Sequence, residues 1–556
     1  MKKLLIGIDL GTTYSCAAIL NEAGTIEIAP SSDDGKNTTP SVFYLKKDSD
    51  NAQVGNPAKS SLQGLIAIKK ETRKKQMNSG WYAHPKETRA VVEQTKRFIG
   101  TDTTYEFNES KFNPTIVSAA ILKKIKQDVE IYYGQEVDEA VITIPAKWSN
   151  QARQETVKAA NSVGLNVKHI INEPTAAALA FSVKSQVDGI YAVYDFGGGT
   201  FDCSIVETKG DEVKILGNEG VKKLGGKDLD LKLLSLVEKK YKDATNKELS
   251  PRQWSIVQAE QEKINLSSLT EIEIFIDGEI IIVTRKEFEA EISTLVSQSM
   301  LSFDNAIEDA KISVDNIMDV ILVGGSSRIP LVKRELKKKI GKAPKSYGNP
   351  DETVAKGAAI YIALKNKEAL NINQKAVVAG FEVKEITNVF LGLPVDHDGT
   401  RRNKNVIKKG ARIPASRTRE VFIHTDIIGA QIEAISRGIS LPQVPFEMKV
   451  TEADTDTTAI SNVKVVWKKK TYWPMLDSSE ISPYMSSESA FNNFIAKWVV
   501  LKVKYTIDSN QIFHVKVRHP ESNTVMVDEK IDMKKGSLSV KGGQGSKTSI
   551  DKFKID

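Results

Sequence analysis

One pattern occurs twice in this chain and restricts its fold more than any other feature. Residues 4–20 read LLIGIDLGTTYSCAAIL, and residues 190–206 read IYAVYDFGGGTFDCSIV. Each is an apolar strand, an aspartate, a glycine-containing turn with threonine, and a second apolar strand. Locally this is a β-hairpin pinched at glycine. A unit used twice implies two similar half-domains facing each other. Helical stretches separate the strands. Residues 114–133 (PTIVSAAILKKIKQDVEIYY) carry apolar residues at helical spacing, and Pro114 suits a first helical turn. Residues 151–163 repeat that pattern before the strand-like VKHII. Residues 271–283 (EIEIFIDGEIIIV) predict a hairpin around Asp277 and Gly278, residues 286–311 a helix, and DVILV at 319–323 a buried strand running into Gly324 and Gly325. Strands alternating with helices to about residue 368 indicate an α/β domain.

The character then changes. From 386 to 530 the segments are short, strand-like and rich in Val, Ile and Thr (REVFIHT, NVKVVW, WVVLKVKYTI), which predicts an all-β second domain. A chain of 556 residues is too long for one core, so two domains are expected in any case. The expected division is an α/β domain over 1–368, a linker over 369–385, a β-sandwich domain over 386–535 and a mobile Gly/Ser/Lys-rich tail over 536–556. The net charge of +7 is spread among interspersed acids, so a solvated surface is expected and no nucleic-acid partner. Asp9 cuts short the apolar start, so residues 4–8 read as a buried strand and not as a signal peptide. No apolar run approaches the ~20 residues of a membrane span. Cys16 and Cys203 are the only cysteines, which points to a reducing, cytoplasmic setting. A monomer is expected.

The repeated turns carry chemistry. Phosphate binding needs donors and a backbone that can approach closely; glycine gives the approach, and N–H groups and threonine hydroxyls give the donors. Gly11, Thr12 and Thr13 meet that need once, and Gly197, Gly198, Gly199 and Thr200 meet it again. Asp9, Asp195 and Asp202 nearby would repel bare phosphate, and make sense with a hydrated Mg²⁺ between them and the oxygens. A structural turn would explain one such loop alone; two matched loops favour a phosphate site. A third glycine turn, Gly324-Gly325-Ser326-Ser327-Arg328, follows a strand end, where α/β sheets bind ligands. None of the three is a GxxxxGK[ST] loop, which excludes that nucleotide fold.

The motifs IGIDLGTTYSCAAI, VITIPAKWSNQARQ, IINEPTAAALAF, VYDFGGGTFDCSI, LGGKDLDLKLL, INLSS, VILVGGSSRIP and NPDETVAKGAA stand in this order over residues 4 to about 365. In them the chain resembles the actin-like ATPase superfamily, and within it the 70-kDa heat-shock chaperones. IINEPTAAALAF with DFGGGTFD is specific to that family; sugar kinases and actins share only the looser loops. The resemblance implies an actin-like two-lobed α/β ATPase domain that binds ATP or ADP with Mg²⁺ and K⁺. It implies a catalytic set of Lys96, Glu173, Asp195 and Thr200, with Lys96 positioning the attacking water and γ-phosphate and Glu173 as its acidic partner. Gly11, Thr12, Thr13 and Tyr14 resemble the first phosphate loop, and Gly197, Gly198, Gly199 and Thr200 the second. Gly225 and Gly226 of LGGKDLDLKLL join the nucleotide contacts. Glu260, Lys263 and Ser267 resemble the helix over adenine and ribose, and Gly324, Gly325, Ser326 and Arg328 the adenosine loop. Asp9 and Asp195 resemble the acids that orient the Mg²⁺ water shell, and Asp202 an acid near K⁺. Pro145 and Arg153 resemble a switch and relay that report nucleotide state. ITNVFLGLP, KKGARIPASRTREVFIHTD and VKYTIDSNQIFHVKV resemble strands of the family's peptide-binding β-sandwich. Implied partners are extended polypeptide segments, a J-domain co-chaperone and a nucleotide exchange factor.

The departures from the family pattern are as informative. Where the family linker is a run of leucines ending in Asp, this chain has Glu382-Val383-Lys384-Glu385. A charged linker is not expected to dock as an apolar strand at the same cost, and Val377-Val378-Ala379-Gly380-Phe381 could take its place. His169 stands where the family has an Arg used by J-domain partners, and Asn150 replaces an Asp, so a weak J-domain response is expected. Residues 61–92 are longer than the family's usual segment; their basic run, Lys69-Lys70 and Arg73-Lys74-Lys75, reads as a solvated face. Residues 441–497 match nothing in the family. The chain reads as ending after the β-domain without the family's helical lid, either as a shortened piece or as a naturally lidless protein. The expected function is an ATP-dependent chaperone. The alternatives are an ATPase switch whose β-domain binds one dedicated partner, and a small-molecule kinase of the superfamily.

Overall fold

The structure is a computed structural model. It describes residues 4–47, 51–67, 70–84, 86, 88–107, 110–146, 148–185, 187–210, 212–344, 348–383, 387, 390–397, 400–408, 411–424, 451–453, 465–467, 470–472, 498–508, 512–518, 525–530 and 554–555. The chain divides into two units, one of Met1–Trp148, Glu155–Val383 and Thr548–Asp556, the other of Ser149–Gln154 and Lys384–Lys547.

In the first unit the sequence repeat is a repeat of topology. One sheet runs in the order Asn166–Asn172, Val137–Ile144, Leu4–Asp9, Tyr14–Leu20, Ile26–Ala29. A second runs Ile317–Val323, Gly189–Phe196, Phe201–Lys209, Glu212–Val221, Glu382–Val383. In each, the strand before the glycine turn pairs antiparallel with its hairpin partner and parallel with a later strand. Parallel neighbours need a crossover, and the first crossover contains the helix Pro114–Tyr133. That helix starts where the sequence says it should. Asn113 accepts from the Ile116 N–H at 3.1 Å, Pro114 occupies the first turn, and Gly134 closes the end with φ 62°.

Small residues set the distance between helices and sheets. The helices Glu173–Ser185 and Thr353–Lys365 cross where Gly357 meets Ala176, so closely that a Cβ on Gly357 would lie 1.8 Å from the Ala176 carbonyl oxygen. Ala176, Ala177, Ala178, Ala355, Ala358 and Ala359 are all buried there. The outer part of the first lobe is a sheet of Lys554–Ile555, Asn51–Val54, Phe43–Lys46, Arg89–Val92 and Trp81–Ala83. Lys554–Ile555 falls in the stretch read as a mobile tail, and it pairs parallel with Asn51–Ala52. The outer part of the second lobe holds the helices Gly226–Thr245 and Ile256–Ser268 and the hairpin Glu271–Ile276/Glu279–Thr284. Its turn residues Asp277 and Gly278 have φ of 50° and 87°, the left-handed pair that a two-residue hairpin turn requires.

The linker departs from its expected behaviour. Glu382–Val383 adds to the second sheet as a parallel strand beside Glu212–Val213. Val378 is buried, and Phe381 and Val383 pack against the same core cluster. The apolar residues among the charges carry the docking, which a reading of Glu382 to Glu385 as one charged block overlooks. Residues 384–386 lie outside the described residues.

The second unit is described as strands. Phe390–His397 pairs with Thr400–Ile407 and with Thr451–Ala453. Ala415–His424, Trp498–Ile507, Phe513–Arg518 and Val525–Lys530 form an antiparallel sheet. Val503, Tyr505, Ile507 and Phe513 are buried. Most of residues 441–497 and all of 531–550 lie outside the described residues. Among the described residues no helix is long and apolar enough to cross a membrane.

Candidate active site

The two repeated hairpins bring their turns face to face. A Cβ on Gly198 would lie 1.9 Å from Thr13 Oγ1, and one on Gly199 would lie 2.2 Å from Thr12 Cγ2. Only glycine permits that approach. Gly226 and Lys227 donate their N–H groups to the carbonyls of Gly197 (2.9 Å) and Gly198 (2.8 Å), and Ser326 Oγ donates to Gly197 O at 3.0 Å. The third glycine turn is thereby tied to the second. Between the lobes lies a cleft of about 1030 Å³.

Most residues singled out in the sequence line this one cleft: Asp9, Gly11, Thr12, Thr13, Tyr14, Lys96, Glu173, Asp195, Gly197, Gly198, Thr200, Gly226, Glu260, Lys263, Ser267, Gly324, Gly325, Ser326 and Arg328. They come from positions up to 319 apart in sequence. Gly199, Gly225 and Asp202 stand beside the lining and not in it. Gly225 packs on the backbone of Gly199, and Asp202 pairs across from Asp195 with its carboxylate towards Gly220. Pro145 follows the strand Val137–Ile144 and its carbonyl accepts from the Trp148 N–H at 3.3 Å. Arg153 lies on the helix Asn150–Asn161 and is buried. His169 is outside the lining, half-buried and edge-on to the Tyr361 ring.

The cleft floor concentrates charge. The Lys96 ammonium donates to Glu173 Oε1, and both side chains are buried. Burial alone would lower the Lys96 pKa, but Glu173, Asp9 and Asp195 outweigh it and hold the ammonium charged. Burial pushes the Asp9 carboxyl up to about 6, against the pull of Lys96 and the Thr143 hydroxyl, which donates to it at 3.0 Å. Burial, then Glu173, Asp202 and Asp9, push Asp195 well above the ordinary carboxylate range. Carboxylates crowded this way lack positive charge, and a divalent cation fits that lack. Among the described residues no three acidic, His or Cys side chains converge closely enough to enclose an ion directly. An ion here would be held through its own water and a ligand's oxygens, as Mg²⁺ prefers.

The cleft mouth holds looser pairs. Lys59 bonds to Glu260 at 2.9 Å and to the Tyr14 hydroxyl at 2.6 Å. Arg328 meets Asp351 there at 2.6 Å, whereas Lys263 meets Asp230 at 2.6 Å as a buried pair. Sequence reasoning gave no role to Lys59, Lys227, Asp230, Asn349 or Asp351, although Lys227 and Asp230 stand in the quoted LGGKDLDLKLL and Asn349 and Asp351 in the quoted NPDET motif. It also missed Trp148, whose ring lies 5.8 Å from the Lys96 ammonium, within cation–π range. Its signal, an aromatic three residues after Pro145, has no meaning until the fold brings residue 96 to it.

A family model described as Hsp70 protein matches residues 5–433. The chaperone protein DnaK of Thermotoga neapolitana is 35% identical over 406 residues, covering 69% of this chain and 64% of its own length. The proteins of that name from Thermotoga petrophila and Thermotoga maritima match to the same extent. The chain thus spans 64% of the length of these relatives.

Proposed function

The chain belongs to the Hsp70 family, and from that premise we propose that it is an ATP-dependent chaperone that couples ATP binding and hydrolysis to the binding and release of extended polypeptide segments. One observation carries the reading: the buried Lys96–Glu173 pair stands with Asp9 and Asp195 between two facing Gly–Thr turns. Phosphoryl transfer asks a protein for positioning and charge neutralisation more than for covalent chemistry. The backbone N–H groups and hydroxyls of Thr12, Thr13 and Thr200 bind phosphate oxygens. Lys96, kept charged by Glu173, orients the attacking water and the γ-phosphate. Asp9 and Asp195 would hold Mg²⁺ through its water, and the ion would supply charge neutralisation on the phosphate oxygens. Asp202 would serve K⁺. Glu260, Lys263, Ser267 and the turn Gly324 to Arg328 take adenine and ribose.

The β-rich unit, as a β-sandwich, takes the polypeptide. A J-domain partner and a nucleotide exchange factor complete the cycle, with a weakened J-domain response because His169 offers no fixed positive charge. Cys16 and Cys203 are both free and buried, in keeping with a cytoplasmic setting. Replacing Lys96→Ala tests the assignment: steady-state hydrolysis falls at least about a hundredfold, while Mg²⁺-nucleotide affinity stays close to that of the parent. Unchanged turnover would remove Lys96 from the mechanism.

A further inference from the structure

Residues 61–92, read from sequence as a solvated basic face, are divided by the fold. Lys74 and Lys75 are exposed, whereas Arg73 and Met77, four residues apart on one face of the helix Lys70–Ser79, are buried. Arg73 Nη2 lies 2.5 Å from Glu238 Oε1. Glu238 belongs to the helix Gly226–Thr245, on the opposite lobe. Leu62, Leu65, Ile66 and Met77 fall in one apolar cluster with Leu234, Val237 and Tyr241 of that helix. Gln76 stiffens the segment from within, donating to Leu65 O at 3.0 Å and accepting from the Ala67 N–H at 2.8 Å.

The same segment reaches the beginning of that helix by a second route. The fully buried Tyr82 hydroxyl donates to Glu93 Oε1 at 2.8 Å, and Glu93 pairs with Lys227 at 2.9 Å. Lys227 lines the cleft beside Gly226. The two attachment points on the helix, Lys227 and Glu238, are about three turns apart. The segment therefore spans the outer lobes along a length of helix, with apolar packing between two ionic ties.

We propose that the described residues of this segment, 61–67, 70–84, 86 and 88–92, form a clasp across the cleft that sets the rate at which bound nucleotide leaves. The proposal rests on the reading of the cleft as a nucleotide site. Nucleotide held between the lobes leaves when the lobes part. Parting here exposes Met77, Leu65 and Ile66 to water and separates Arg73 from Glu238, whose side chains are only 9% and 18% exposed. Neither cost falls on the bound state, so the clasp acts on release more than on the hydrolytic step.

The test is stopped-flow release of a fluorescent N-methylanthraniloyl-ADP from the full chain with Mg²⁺, chased with unlabelled ATP. Arg73→Gln and Met77→Ala each speed release about tenfold, as expected for a tie between an exposed and a buried pair. Combining Arg73→Glu with Glu238→Arg returns release to within about threefold of the parent, which a merely misfolded segment would not do. Single-turnover hydrolysis changes far less than release. Release within twofold of the parent in both single variants, with melting transitions intact, would overturn the clasp and leave the nucleotide site standing. Absence of any binding by the parent chain would overturn both.

Discussion

The floor and the mouth of the cleft are both built from ion pairs, yet they are different devices. At the floor, Lys96 and Glu173 are each 7% exposed and are crowded by two further acids, Asp9 and Asp195. At the mouth, Lys59 and Glu260 are 23% and 15% exposed and share their charges with one phenol. Desolvation decides the difference. A buried pair is costly to break and its charges act strongly on what lies beside them, whereas a pair near water forms and opens at little cost. On the proposed function, the floor would hold a transferring phosphoryl group, and the mouth would let nucleotide in and out. The Arg73–Glu238 tie joins a cation nearly as buried as the floor's to an acid about as exposed as the mouth's, which is why it suits a slow latch.

The largest expected effect breaks the floor. Glu173→Gln leaves the Lys96 ammonium buried beside an amide, and should lower unfolding stability by about 3 kcal/mol, read as a shift in the urea midpoint at constant slope. It should also abolish turnover. A midpoint equal to the parent's would mean that the floor is as wet as the mouth, and the contrast would collapse.

Lys59→Ala probes the mouth in the same terms. Nucleotide release should rise about threefold, less than for Arg73→Gln, with stability unchanged within error. An acceleration larger than that of Arg73→Gln would reverse the ranking by burial.

The smallest effect lies outside the cleft and calibrates both. Burial, then Lys365, lower the His169 pKa below 6.5. The unfolded chain then binds more protons at His169 than the folded one, so this site costs stability as pH falls through about 6.5. His169→Gln should flatten the dependence of the melting temperature on pH between about 7 and 5. An unchanged slope would show that a half-buried imidazole here is solvated in the same way as in the unfolded chain.

The amino-acid sequence by itself determined the elements whose cause is local. The hairpins at 4–20 and 190–206 need only alternating apolar residues and glycine at the turn, and both form as read. Asn113 marks the start of its helix through the Ile116 N–H three residues on, Pro114 by its place in the first turn, and Gly134 the end by its left-handed backbone. Much of the cleft lining was legible because its residues sit in short motifs, at those turns and elsewhere in the chain. Tertiary structure alone decided which distant partner each charge received. Arg73 and Lys74 are chemically alike and adjacent, but among the described residues only Arg73 meets a carboxylate, 165 residues further on. Trp148 gains its place over Lys96, and Val383 its place beside Val213, in the same way. A single ion pair or a two-residue strand carries no periodic signature, because its partner is fixed by how the lobes pack and not by what precedes it in the chain.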